Sequence, residues 1–79
     1  MSRVAAPLKC KEDEIISLNE MMTNSIYTDD MKRRANIILL ANDGLTNKQI
    51  AAEINSNENT VAMWRNRFLK DRLAGLRDL

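Results

Sequence analysis

Two helical repeats with only three turn residues between them restrict this chain more than any other part of it. They lie in residues 44–68, GLTNKQIAAEINSNENTVAMWRNRF. The first repeat is apolar at Ile50, Ala51 and Ile54, and the second at Val61, Trp64 and Phe68. The break between them, Asn55-Ser56-Asn57, is made of residues that favour turns. Two short helices joined so tightly must cross, and one of them must be held by packing, because an eight- or nine-residue helix is marginal alone. This is the pattern of a helix-turn-helix, whose second helix can lie in a DNA major groove.

The local chemistry supports both helices. Thr46 and Gln49 have capping-box spacing, with a hydroxyl at the cap and an amide three residues on. Ala51 suits a close helix crossing. Asn55 is the best non-glycine residue for the positive φ that the turn needs. Asn57 is placed to cap the second helix, with Glu58 in its first turn.

The rest of the chain predicts two further helices. Glu12, Asp13 and Glu14 suit the first turn of a helix over 11–23, and Ile15, Leu18 and Met22 form its buried stripe, widened by Ile16 and Met21. Thr28 caps a helix over 29–42 that begins Asp29-Asp30. Its face of Met31, Arg34/Ala35, Ile38 and Ala41/Asn42, with Ile37, Leu39 and Leu40 beside it, marks it as central. Gly44 is expected to close it in the left-handed conformation, and Gly75 to stop the last helix near Leu73. The expected fold is therefore all-α, a bundle of about four helices at 11–23, 29–42, 46–54 and 58–73, with the helix-turn-helix at 46–72. Residues 11–79 form one domain. Residues 1–10 read as a flexible tail, in which Arg3 is either disordered or reaches a minor groove.

Composition narrows the function. The chain has 79 residues, no histidine, and Cys10 as its one cysteine. An intrachain disulfide and a zinc-finger spacing are thus excluded, and a free thiol fits a cytoplasmic protein, nucleoid-associated if bacterial. No apolar run approaches the roughly 20 residues of a membrane span. Nucleophile–base pairs and glycine-rich phosphate loops are absent, so no enzyme, cofactor or catalytic residue is expected. Net charge is only +1. Residues 57–79, however, carry Arg65, Arg67, Lys70, Arg72 and Arg77 against Glu58, Asp71 and Asp78, which gathers positive charge on the second helix of the motif.

With Val61, Trp64 and Phe68 inward, Asn59, Ala62, Met63, Asn66 and Lys70 form the opposite stripe. Asn59 and Asn66 can each pair with adenine, and Ala62 and Met63 can lie on thymine methyls, which makes these four the candidate base contacts. Thr46, Asn47 and Asn57 at the helix N-termini, with Arg65, Arg67 and Lys70, are candidate phosphate contacts. Arg33 and Arg34, in the run Lys32-Arg33-Arg34, are either phosphate contacts or a solvated face. Glu58 can accept from cytosine or repel phosphate. Trp64, at helical spacing, reads as core rather than as a stacking platform.

Arg33 to Leu40, Gly44 to Asn47, Ile50-Ala51, Asn59-Thr60-Val61, Trp64-Arg65 and Leu73 to Leu76 together resemble the N-terminal DNA-binding domain of insertion-sequence transposases of the IS630 type, within the Tc1/mariner superfamily. The likeness covers about residues 28–79. It implies a homeodomain-like domain that binds terminal inverted repeats of double-stranded DNA and positions a separate, metal-dependent acidic catalytic domain. This chain departs from that family at Asn55, in place of a turn glycine, at Ser56, in place of an apolar residue, and at Glu58, in place of a frequent arginine. Two other functions are compatible with the residues: a stand-alone transcriptional regulator, which would dimerise, or a helical protein-interaction domain without DNA. The expected state is a monomer or weak dimer with no membrane partner.

Overall fold

Each helix starts where a side chain or an acidic turn satisfies its open N–H groups. In a computed structural model, which describes residues 8–77, α1 spans Glu12–Thr23, α2 Asp29–Asn42, α3 Asn47–Ile54 and α4 Glu58–Asp71, and a 3-10 helix covers Arg72–Leu76. Among the described residues there is no strand, and no helix is long and apolar enough to cross a membrane. Arg3 and the other residues of the expected tail up to Pro7 lie outside the described residues.

Thr28 caps α2 by accepting from the Met31 N–H at 3.2 Å. At its other end α2 closes through Gly44, at φ 97°. The Gly44 N–H reaches the Ala41 carbonyl at 3.0 Å, and the Leu45 N–H reaches the Leu40 carbonyl at 3.2 Å. This paired closure needs a left-handed residue at position 44, as expected of the glycine.

α2 is the central helix. It packs against α1, α3, α4 and the 3-10 helix. The core takes Leu18 and Met21 from α1, and Ala35, Ile37, Ile38 and Ala41 from α2. Ile50 and Ala51 come from α3, Val61, Trp64 and Phe68 from α4, and Leu76 from the 3-10 helix. Phe68 is fully buried, a contribution of about 1.5–3 kcal/mol from burial alone.

Three features differ from the sequence expectation. Ile16 does not widen the buried stripe of α1; it is 63% exposed, because α1 turns Glu14, Leu18 and Met21 inward instead. α4 ends at Asp71 rather than near Leu73, and its terminator is Arg72, at φ 56° and ψ −138°, not Gly75. Gly75 serves another purpose: a Cβ there would overlap the Arg67 carbonyl group, so only glycine lets the 3-10 helix lie against the backbone of α4.

The third difference is the end of the expected tail. Leu8 is buried in the core. The Cys10 N–H donates to Asn42 Oδ1 at 2.9 Å, and the Lys9 carbonyl accepts from Arg72 Nη2 at 2.8 Å. Residues 8–10 are therefore bound to the bundle. Arg72 also donates to both oxygens of the buried Glu14 carboxylate, Nε to Oε2 at 2.9 Å and Nη2 to Oε1 at 2.6 Å. Its guanidinium lies 4.5 Å from the centre of the Phe68 ring. The backbone of Arg72 sits where L-residues are strained by about 1–3 kcal/mol; four contacts from three parts of the chain hold it there. That pairing keeps the Glu14 carboxyl below its usual range, against the opposing effect of burial.

Candidate nucleic-acid interface

The two helices of the motif are set by short-range bonds that the sequence encodes. Thr46 Oγ1 accepts from the Gln49 N–H at 3.1 Å, and Gln49 Oε1 accepts from the Thr46 N–H at 2.9 Å. This is the reciprocal cap expected of α3. Asn55 adopts the left-handed conformation, φ 56° and ψ 51°, and the Ser56 N–H closes back to the Ala51 carbonyl at 2.9 Å. Asn57 Oδ1 then accepts from the Thr60 N–H at 2.8 Å and starts α4. Asparagine thus does the work of the turn glycine at Asn55, since its short polar side chain tolerates that region.

A fifth bond fixes the crossing, and it is not local. Arg65 Nη1 donates to the Leu45 carbonyl at 3.2 Å. Leu45 lies just before α3, so this bond pins α4 to the start of its partner helix. Arg65 is only 5% exposed, and burial lowers its pKa. The phosphate contact expected of Arg65 is therefore corrected: its guanidinium is inside the domain, satisfying a backbone carbonyl.

Arg34 needs the same correction. It is 9% exposed, and its Nη1 donates to the Leu76 carbonyl at 2.9 Å. The guanidinium also lies 4.3 Å from the centre of the Trp64 ring, within the range of cation–π attraction. Arg34 thus ties the 3-10 helix to α2. Trp64 is buried as expected of a core residue, and the Arg67 guanidinium lies 4.9 Å from the same ring. Arg67 is half-buried and its Nη2 donates to the Arg77 carbonyl at 3.3 Å.

The opposite face of α4 is open. Asn59, Met63, Asn66 and Lys70 are all exposed, Ala62 is half-buried beside them, and Met63 is 45% exposed. At about 100° per residue these four exposed positions fall within about 60° of one another. The buried set of Val61, Trp64, Arg65 and Phe68 is centred about 180° away. Glu58, though exposed, points about 110° from the centre of the stripe and so lies on its flank.

Of the remaining expected phosphate contacts, Thr46, Asn57, Lys70 and Arg33 are exposed and Asn47 is half-buried. The Asn47 side-chain oxygen is enclosed without a hydrogen-bond partner. Lys48, in the first turn of α3 and exposed, is a further cation that the sequence reading passed over; its place next to the Thr46 cap was the available signal. Arg33 is on α2, Thr46, Asn47 and Lys48 at the start of α3, and Asn57 and Lys70 at the two ends of α4. An exposed amide-and-methionine stripe with cations on the neighbouring elements can meet base edges with its centre and a phosphate backbone with its margins.

The family model of the homeodomain-like domain matches residues 28–77. That span takes in α2, α3, α4 and the 3-10 helix and leaves α1 outside. No curated protein and no solved structure matches the chain.

Proposed function

The chain belongs to the homeodomain-like domain family, and from that premise we propose that it binds double-stranded DNA with α4 in the major groove. More narrowly, it is the domain that recognises the terminal inverted repeats of a transposase of the type its sequence resembles. Catalysis in such a protein is the task of a separate domain, and this chain supplies binding only. The observation that carries the reading is the exposed stripe Asn59, Met63, Asn66 and Lys70, backed by a face that Val61, Trp64, Arg65 and Phe68 bury. Arg33, Lys48 and Lys70 supply exposed positive charge, and Arg67 a half-buried one.

The test is a titration of inverted-repeat and random-sequence duplexes at several salt concentrations. Three or four phosphate contacts give a slope of log K against log salt of about −3 to −4. Tighter binding to the inverted repeat is the expected result. Absence of binding at low salt, or binding that salt does not weaken, refutes the proposal.

One observation favours a second reading. Ile16 on α1 and Ile26 in the turn after it are 63% and 77% exposed, and α1 lies outside the matched span. A dimer formed through α1 would suit a stand-alone regulator, with two α4 helices reaching half-sites about 34 Å apart. Light scattering distinguishes the two: a stable dimer without DNA supports the regulator, and a monomer the transposase domain.

A further inference from the structure

From the chemistry left on the open face of α4, we infer that this domain selects a site rich in A·T pairs, with two adenines about three base pairs apart. The inference rests on the DNA-binding reading above and names its substrate more closely.

Guanine is most often read by arginine, through paired bonds to O6 and N7. The arginines on α4 and the one stacked on Trp64 are engaged elsewhere. Arg65 donates to the Leu45 carbonyl, Arg34 to the Leu76 carbonyl, and Arg67 to the Arg77 carbonyl beside the Trp64 ring. The fold thus turns Arg34 and Arg65 into internal ties, holds Arg67 on the flank of α4, and leaves the stripe without a guanidinium. Lys70 is the one cation on the stripe, and it lies about 16 Å along the helix from Asn59. Helix-turn-helix proteins read bases from the N-terminal part of the second helix, so Lys70 falls at the backbone margin.

What remains is Asn59, Met63 and Asn66, all exposed, with Ala62 half-buried beside them. An asparagine amide matches the N7 acceptor and N6 donor of adenine. An exposed methionine between two asparagines has a soft, adaptable surface, which the C5-methyl of thymine complements. The spacing follows from the helix. Asn59 and Asn66 are seven residues apart, about 10.5 Å along the axis. At 3.4 Å per base step along each strand this is about three steps. Met63 falls between them and meets the intervening pairs. Glu58 lies on the flank and does not set the centre of the site.

The experiment is fluorescence anisotropy with labelled duplexes of equal length at one low salt concentration. One set carries A·T or G·C pairs in the central positions, and a matching set carries uracil for thymine, which deletes only the methyl groups. The A·T centre is expected to bind about five- to a hundredfold tighter for each adenine contact. Asn59→Ala and Asn66→Ala each remove one such factor from the preference for the A·T centre over the G·C centre. Uracil substitution weakens the wild type, and weakens Met63→Ala less. Equal or tighter binding to the G·C centre by the wild type overturns this inference and leaves DNA binding standing. No binding to any duplex overturns the DNA-binding reading, and this inference with it.

Discussion

Replacing Arg65 by methionine separates an internal tie from a DNA contact. Methionine keeps most of the aliphatic stem, so the packing between Val61 and Phe68 changes little. What is lost includes the bond from Nη1 to the Leu45 carbonyl, 3.2 Å long. A hydrogen bond from a charged donor contributes about 1.5–3 kcal/mol. Part of this is offset, because the buried guanidinium carries a desolvation cost, visible in its lowered pKa. The expected net loss is about 1–2 kcal/mol. For a domain of this size each kcal/mol moves Tm by about 4–8 °C, so the melt followed by circular dichroism should fall by about 5–15 °C. DNA binding, measured well below the new Tm, should keep the salt slope of the wild type. The opposite pair of results, an unchanged Tm with a slope smaller by about one, would show that Arg65 faces a phosphate and that the tie is wrong.

Two further outcomes follow from the C-terminal turn. Gly75→Ala places a methyl against the Arg67 carbonyl and pushes the 3-10 helix, with the buried Leu76, off α4; the cost is about 3 kcal/mol or more, and a denaturant midpoint equal to that of the wild type would contradict the close approach. Glu14 sets the acid limb of stability. Its carboxyl is held below the ordinary 4.5 by the hydrogen bonds from Arg72, so its contribution is complete above that ordinary value and is lost as pH falls through the lower folded-state value. Glu14→Gln should flatten this part of the profile, and an unchanged loss of stability below pH 4.5 would show that other groups cause it.

Much of the motif could be read directly from the chain, and the reason is that its determinants are local. The caps at Thr28, Thr46 and Asn57, the left-handed residues Gly44 and Asn55, and the alternation of buried and exposed positions on α4 each involve residues within about one or two helical turns. Within that distance the backbone geometry is already known. The exposed placement of Asn59, Met63 and Asn66 follows from the same periodicity. The same periodicity puts Arg65, four residues after Val61 and three before Phe68, on the buried side of the helix.

The partners of the buried charges were not legible, because they depend on what lies opposite after the chain has folded. Glu14 meets Arg72 across 58 residues, Arg34 meets the Leu76 carbonyl across 42, and Arg65 meets the Leu45 carbonyl across 20. A helical pattern gives the angle at which a side chain leaves its axis, but not which carbonyl or carboxylate waits there. The sequence by itself determined four helices, their caps and the stripe offered to solvent. Only the tertiary structure decided that Leu8 joins the core, that Arg72 rather than Gly75 ends α4, and that Arg34 and Arg65 bind the domain together. The physical reason is that a buried charge requires a partner, and that partner exists only once the helices are packed.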